Sequence, residues 1–247
     1  MRMRTSAVVS AGVLALAALA VPSAQADGHY GDTAITKVTV NGGKNVIVGT
    51  SLVKKFTVVV TAKDDSGIKE ADIVLHGPGF GFLDASGVRC SGSTCTASFL
   101  VDPKVDLPYS NDYAGTWYVD AWVDAKDGDY VWKGKAGSFK FQRAATLGVN
   151  AAPEPVKKGK TLTVTGKLAR ASWDDFKYHG YSGQSVGLQF CKKGSKTYTT
   201  VKTVRTSSTG ALKTTVKASA DGYWRYSFAG TSTTPAVVSS GDFVDVK

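Results

Sequence analysis

The sequence has 247 residues, of which 43% are hydrophobic and 20% are charged, and its formal net charge is +10. A chain of this length buries a core without dense disulfides or structural metals, and after residue 26 it has no apolar run of the roughly 20 residues that a bilayer span requires. Abundant Val, Thr, Tyr, Phe and Trp between regularly placed glycines, without helix signals, exclude a helical protein and favour an all-β fold.

The first 26 residues have the three parts of a secretion signal. Arg2 and Arg4 give a basic start, residues 7–21 are an unbroken run of small and apolar residues, and 24–26 supply the small-x-small pattern that signal peptidase cleaves. The apolar run is too short to remain as a transmembrane helix. We therefore expect an exported chain that begins near Asp27 and is secreted or associated with the cell envelope.

Residues 27–145 predict a first β-sandwich domain. Short strands follow one another at intervals of roughly 8–12 residues with turn residues between them, which is typical of sandwiches. The predicted strands are 34–40, 56–60, 71–75, 80–83, 88–90, 95–101, 114–123, 130–132 and 139–141. In the long seventh strand, alternation places Trp117 and Trp122 on opposite faces, and Asp127-Gly128 predicts a hairpin turn.

The three cysteines fit an oxidising compartment. Cys90 and Cys95 flank four residues of a tight hairpin loop and are predicted to form a disulfide; a redox-active pair is the alternative, although the Cys-x-x-Cys spacing is absent. Cys191 is left over, and the alternation of residues 186–190 sends it outward. Such a thiol either forms an intermolecular disulfide or stays inert and half-buried.

Residues 146–247 predict a second sandwich domain after a short joint at 143–145. Seven strands in about 100 residues match an immunoglobulin-like sandwich. The predicted strands are 147–150, 161–168, 185–190, 197–206, 212–218, 223–229 and 242–246. Trp224, Tyr226 and Phe228 alternate with polar residues, so we expect them to face the core.

The positive charge is concentrated in this second domain. Residues 27–145 hold 13 basic and 14 acidic side chains, whereas residues 146–247 hold 15 and 6, a net charge of +9. Outside a cell, such a domain attracts anionic wall polymers, acidic polysaccharides or lipid headgroups. The alternative is that the lysines only solubilise exposed strands and protect sheet edges. Nucleic acid is not an expected partner, because no groove-reading element is present.

Two stretches of the second domain resemble bacterial immunoglobulin-like domains. Residues 153–166 are similar to the opening strand of such domains, and residues 221–230 to their late strand; residues 112–117 of the first domain are similar to their Ala-Gly-x-Trp strand. The chain thus resembles a group of small secreted actinobacterial proteins with a C-terminal domain of this type, some of which are labelled calcium-binding. The resemblance implies a fold and a compartment, and it supplies no site residues.

No catalytic constellation is predicted. His29, His76 and His179 are the only histidines, and neither a Gly-x-Ser-x-Gly nor a His-Glu-x-x-His motif is present. Glu70 and Glu154 are the only glutamates. We therefore expect a protein that is not an enzyme.

Four aspartates crowd one strand end and its hairpin and are the candidate metal ligands: Asp120, Asp124, Asp127 and Asp129. Carboxylate oxygens on a flexible turn suit Ca²⁺, and Asp64 and Asp65 end another strand that can lie nearby. The EF-hand spacing and its closing Glu are missing. Because Asp-Gly is also usual in hairpin turns, a purely structural role is the alternative.

The predicted loop at residues 169–183 is rich in aromatic side chains, the candidates for ligand contact being Trp173, Phe176, Tyr178 and Tyr181. Aromatic residues at the end of a sandwich can stack on sugar rings or anchor a protein partner. The alternative is a compact loop that folds these rings back to close its own sandwich.

These patterns predict an all-β protein with two tandem immunoglobulin-like β-sandwiches after a cleaved signal peptide. The expected function is a non-catalytic binding or structural role in the cell envelope or extracellular matrix, with residues 146–247 engaging anionic polymers. The alternative is a calcium-binding extracellular β-sandwich protein.

Overall fold

The computed structural model describes residues 27–107 and 109–247, and the predicted secretion signal at 1–26 lies outside the described residues. The described chain consists of twenty strands, β1–β20, with two single 3-10 turns at Asn41–Gly43 and Asn111–Tyr113. No helix in this part of the chain is long and apolar enough to cross a membrane.

The first ten strands form what we call the N-terminal module. Their bounds are β1 Gly28–Tyr30, β2 Ala34–Val40, β3 Val46–Val48, β4 Lys54–Lys63, β5 Ile68–His76, β6 Phe82–Asp84, β7 Gly87–Ser91, β8 Thr94–Val101, β9 Gly115–Ala125 and β10 Tyr130–Arg143. One sheet has the order β1-β10-β9-β5-β6, with β3 added in parallel to β10, and the other has the order β2-β4-β8-β7.

The core of the N-terminal module lies between these two sheets. Alternation along a strand sends every second side chain to one face, so β4 buries Phe56 and Val58 while β9 buries Trp117 and Val119 against them. The predicted turn between β9 and β10 is present, and Gly128 adopts a φ of 100° there, a backbone conformation that favours glycine.

The last ten strands form the C-terminal module. Their bounds are β11 Ala145–Leu147, β12 Asn150–Ala152, β13 Thr161–Ser172, β14 Lys177–Gly180, β15 Ser185–Lys192, β16 Thr199–Arg205, β17 Ala211–Lys217, β18 Gly222–Phe228, β19 Val237–Val238 and β20 Asp242–Val244. The long β13 pairs with β11, β12, β14 and β17, and the facing sheet has the order β16-β15-β18-β19, with β20 also paired to β18.

The core of the C-terminal module confirms the predicted alternation. Trp224, Tyr226 and Phe228 are all buried, and they pack with Leu162 and Leu188 of the neighbouring strands. Both modules are thus two-layered, mainly antiparallel sandwiches of the immunoglobulin-like type, and the predicted fold class is confirmed.

The joint between the modules is hydrogen-bonded to both of them. The backbone N–H of Ala144 donates to the carbonyl of Val48 at 2.9 Å, and the Ala144 carbonyl accepts from Ala171 at 2.8 Å. The N–H of Arg143 donates to the carbonyl of Thr233 at 3.0 Å. The chain therefore passes from one module to the other without a free linker.

Tyr226 connects the two sheets of the C-terminal module. Its hydroxyl donates to the carbonyl of Val164 on β13 at 3.0 Å, and its backbone exchanges hydrogen bonds with Ser239. Burial raises the pKa of Tyr226 to about 12, because a phenolate would lie in an apolar environment.

We expect Tyr226→Phe to lower the free energy of unfolding at neutral pH by about 1 kcal/mol, the value of one hydrogen bond. Because folding raises this pKa, the unfolded chain loses the phenolic proton at a lower pH than the folded chain does. The wild type therefore loses stability as the pH rises from about 10 to about 12, on the order of 2 kcal/mol from this group. The variant lacks that loss, so urea titrations should show the wild type about 1 kcal/mol more stable at pH 8 and the variant about 1 kcal/mol more stable at pH 11.5.

The control is Tyr178→Phe, which removes an exposed hydroxyl that has no hydrogen bond among the described residues. It should leave the free energy of unfolding at neutral pH unchanged. A Tyr226→Phe variant that matches the wild type at both pH values would contradict this role for the hydroxyl.

Candidate functional site

The predicted loop at residues 169–183 is a hairpin. Strand β13 continues to Ser172, and β14 returns antiparallel beside it. Trp173 at the tip of the hairpin is fully buried, and its ring packs against Phe141 in the core of the N-terminal module, with 5.7 Å between ring centroids. The predicted ligand contact by Trp173 is therefore wrong, because no surface of the ring is open to a ligand.

Hydrogen bonds fix the hairpin tip to the N-terminal module. The indole Nε1 of Trp173 donates to the carbonyl of Gly49 at 2.9 Å, and its backbone N–H donates to Oδ1 of Asn111 at 3.0 Å. Asn111 in turn donates through its backbone N–H and its Nδ2 to the carboxylate of Asp174. One asparagine thus recognises two consecutive residues of the other module.

The other three predicted aromatic residues lie in different environments. Phe176 is half-buried and makes an edge contact with Tyr109, Tyr178 is 42% exposed, and Tyr181 packs edge-on against Phe228 in the C-terminal core. The predicted stacking surface is thus not assembled by these residues.

A polar cleft of about 510 Å³ lies where the hairpin meets the joint. Its walls include Arg143 from the end of β10 and Arg170 from β13. His179 of β14 and Tyr181, the residue after β14, also line it. His179 Nε2 lies 2.7 Å from Oδ2 of Asp175 and is the largest cause lowering the pKa of that carboxyl.

Arg143 is the most buried charged group of the cleft. Its side chain is 7% exposed, and its Nε donates to the carbonyl of Ala171 at 2.6 Å. Burial, followed by repulsion from the Arg170 guanidinium, lowers the pKa of Arg143 to about 10. The group therefore stays protonated at neutral pH. Sequence reasoning missed it, because residues 143–145 had the pattern of a simple joint.

The four predicted metal ligands do not share one site. Asp120 lies 3.2 Å from Nδ1 of His76, and Asp124 accepts a hydrogen bond from Nε1 of Trp122 at 2.8 Å. Both carboxylates stand on the outer face of β9, and neither belongs to the groups of neighbouring carboxylates that contain Asp127 and Asp129. The prediction that they join Asp127 and Asp129 in a single site is therefore wrong.

Asp127 and Asp129 instead approach Asp64. One carboxylate oxygen of each lies within 4.8 Å of the others, and Asp32, Asp64 and Asp65 form a second such group. Asp32 was not predicted, because the β1–β2 turn that carries it has no distinctive pattern.

Asp64 is held by neighbouring hydroxyl groups. Ser66 donates to its Oδ1 from both Oγ, at 2.6 Å, and the backbone N–H, and Thr33 Oγ1 donates to its Oδ2 at 2.6 Å. These bonds, led by that of the Ser66 hydroxyl, lower the pKa of Asp64 to about 2. The carboxylate thus joins the start of β2 to the turn after β4.

The cysteines divide into a confirmed and a corrected prediction. Cys90 and Cys95 form a disulfide across the β7–β8 hairpin, as predicted. Cys191, predicted to face outward and either to form an intermolecular disulfide or to stay inert and half-buried, is only 2% exposed. Its Sγ lies 3.3 Å from the carbonyl of Ser195, so the turn after β15 covers the outer face at this point and blocks the approach of a second chain.

Two histidines have a carboxylate partner, as a general base often does. His76 faces Asp120 and His179 faces Asp175. Among the described residues, no serine, threonine or cysteine side chain is hydrogen-bonded to either imidazole. A nucleophile–base pair, which nucleophilic catalysis requires, is therefore not formed in this part of the chain.

The lysines of the C-terminal module are all exposed. Strands β16 and β17 follow one another in the chain and lie at the edges of the two facing sheets. We call their four basic side chains the basic edge: Lys202, Arg205, Lys213 and Lys217. Within the described ranges none of the four is in an ion pair; those of this module join His179 to Asp175, Lys193 to Asp221 and Lys247 to Asp245.

No protein-family model and no curated protein matches the sequence. Among solved structures, the chain is similar to a DUF4785 family protein from Legionella pneumophila, with a TM-score of 0.41 and 13% identity over 77% of this chain and 51% of that one. It is also similar to the D00-D0 domain of intimin, with a TM-score of 0.30 and 12% identity over 84% of this chain and 99% of that one.

A third similar structure is the adhesin InvE of Yersinia pseudotuberculosis, with a TM-score of 0.29 and 11% identity over 84% of this chain and 58% of that one. The chain spans about half the length of the Legionella protein. At these values the similarities say nothing about ligands or partners.

We expect Trp173→Ala to lower the free energy of unfolding by about 3–5 kcal/mol, as for other buried tryptophans. Because the ring comes from one module and packs in the core of the other, its loss should also separate the unfolding of the two modules into two transitions. Tyr178→Ala, on the same hairpin but exposed, should cost less than about 1 kcal/mol. Denaturation followed by fluorescence and circular dichroism measures both. Equal small losses in the two variants would contradict the docking of the tip.

Proposed function

We propose that the protein is a secreted, non-catalytic binding or structural protein of the cell envelope or extracellular matrix, and that its C-terminal module holds anionic polymers. The observation that carries this proposal is the basic edge, whose four cations are exposed and lack ion-pair partners among the described residues. Unpaired cations on two consecutive edge strands attract a polyanion over several ångströms and release its counterions on contact.

Two further observations support the proposal. The Cys90–Cys95 disulfide suits an oxidising compartment outside the cell. Residues 27–145 and 146–247, which we propose as the two domains, differ by ten units of net charge, so attraction to a polyanion is concentrated on one of them. The anionic partner is proposed as a wall polymer or an acidic polysaccharide.

The test is retention on immobilised poly(glycerol phosphate) and hyaluronan as a function of salt. We expect the wild type to be retained in 50 mM NaCl and released by 0.5 M NaCl, because salt screens exposed charges. Replacing Lys202, Arg205, Lys213 and Lys217 by Gln should weaken binding by roughly tenfold or more, since each cation near an anionic surface contributes about 1 kcal/mol.

The matched control removes the same charge from the N-terminal module by replacing four exposed lysines: Lys37, Lys55, Lys104 and Lys133. This variant should keep most of the retention. If the two variants lost retention equally, net charge alone would explain the binding and the basic edge would have no special role. If neither polymer retained the wild type at low salt, the proposal would be refuted.

Calcium binding is the second candidate function, and the approach of Asp64 to Asp127 and Asp129 favours it. Oxygens that lie within 4.8 Å of one another can share an ion that they contact at about 2.3–2.6 Å. The proposed ligands are therefore these three carboxylates at the end of the N-terminal module, with Asp32 and Asp65 beside them.

We expect a calcium site here to give saturable heat in a calorimetric titration with CaCl₂ and to raise the melting temperature. Asp127→Asn should remove both effects, because it removes a charged ligand and leaves the hydrogen bonds of Asp64 in place. Asp84→Asn, an exposed aspartate on β6, is the control. Absence of heat and of a melting shift at 10 mM calcium would leave the cluster a structural role only.

A further inference from the structure

The cleft between the modules contains a positive charge without an anionic partner. Arg143 is nine-tenths buried, yet none of its guanidinium nitrogens lies within 4.0 Å of a carboxylate oxygen among the described residues. Among the described residues only its Nε has a hydrogen-bond acceptor, the carbonyl of Ala171. No fully buried side-chain nitrogen of these residues lacks a partner, so Nη1 and Nη2 are accessible, and Arg143 lines the cleft. Buried charges are normally paired, because desolvation penalises an isolated one.

A second guanidinium lies close to the first. Arg170 stacks on the ring of Tyr181, with Cζ 3.9 Å from the ring centroid, and its Nη1 lies 3.4 Å from Oγ1 of Thr234. It also lines the cleft, and it is near enough to Arg143 for their repulsion to lower the pKa of Arg143. Two like charges held together in a partly enclosed space create a strong local attraction for an anion.

The aspartates of the cleft do not neutralise this pair directly. Asp174 is engaged by the backbone N–H and the amide of Asn111, and Asp175 by His179. Attraction by Asp174 acts on Arg143 more weakly than burial and the repulsion from Arg170, since it is a smaller cause of the pKa change. The guanidinium donors therefore stay available.

We propose that this cleft is a binding site for an oxyanion, a carboxylate or a phosphate group, held by the free Nη donors of Arg143 and by Arg170. Guanidinium groups bind both kinds of anion through two parallel hydrogen bonds. A cleft of about 510 Å³ has the size that small-molecule sites usually have, so it accommodates a group as large as a sugar acid or a sugar phosphate, with Tyr181 beside it.

This site stands apart from the basic edge, which belongs to other strands, so it does not rest on the proposed polymer binding. The two sources of the anion differ in chemistry: the uronate of an acidic polysaccharide supplies a carboxylate, and a phosphate-containing wall polymer supplies a phosphodiester or a terminal phosphate. Calorimetric titration of the full mature chain with sodium glucuronate and, separately, with sodium phosphate distinguishes them at constant ionic strength in NaCl.

We expect saturable binding of one ligand per chain for at least one of the two anions. Arg170→Gln should weaken it by roughly tenfold or more, the loss expected when one charged hydrogen-bonding partner is removed. Arg143→Lys keeps the charge but lacks the planar guanidinium, whose parallel N–H donors bind both oxygens of an anion. It should therefore weaken binding as well. The control is Arg205→Gln, which makes the same charge change on the basic edge and should bind as the wild type does.

Melting temperatures without ligand establish that each variant is folded. If the variant at the buried Arg143 is unstable, Arg170→Gln alone tests the site. Loss of binding in Arg170→Gln with retention in Arg205→Gln supports the site, and the anion that binds identifies its source. No saturable binding of either anion to the wild type, or equal binding by Arg170→Gln, overturns it. The variant of the basic edge that loses polymer retention should still bind the small anion, so the two proposals fail independently.

Discussion

The docking of Trp173 into the N-terminal core is the contact on which the arrangement of this molecule depends. The ring belongs to a hairpin of the C-terminal module, yet it is packed against Phe141 and hydrogen-bonded to Gly49. Withdrawing it would expose a large apolar surface to water and break the hydrogen bond to Gly49, which contributes about 1 kcal/mol net. The two modules are therefore joined by a packed contact, although each has its own core.

The cleft is a consequence of that docking. The hairpin brings Arg170 and Tyr181 over the end of β10, where Arg143 is anchored through its Nε. An apolar side chain at this position would avoid the desolvation of a guanidinium and would often stabilise a fold as well or better. A guanidinium that uses one donor to join the modules and leaves the others open to a cavity suits an anion that binds there.

Local patterns predicted the regular parts of the fold and missed what depends on contacts between distant residues. Alternation correctly put Trp117 and Trp122 on opposite faces and Trp224 inside, and the short spacing correctly paired Cys90 with Cys95. The hairpin at residues 169–183 resembled a loop, because its strand β14 has no apolar alternation and gains its place only by pairing with β13. Likewise, the outward direction of Cys191 followed from its strand, but its burial comes from the turn that folds over it.

The two proposed sites use positive charge in physically different ways. The basic edge consists mostly of lysines on long, mobile side chains in water, where a charge is screened within a Debye length of about 8–10 Å and its geometry is loose. Such a surface suits a polymer with many similar charges and little fixed shape. The arginines of the cleft are partly shielded from solvent and held by Ala171 and Tyr181, so their attraction is less sensitive to salt and more sensitive to the geometry of the anion. In the proposed function, the first surface would supply affinity for polyanions in general, and the second would discriminate among the groups that they carry.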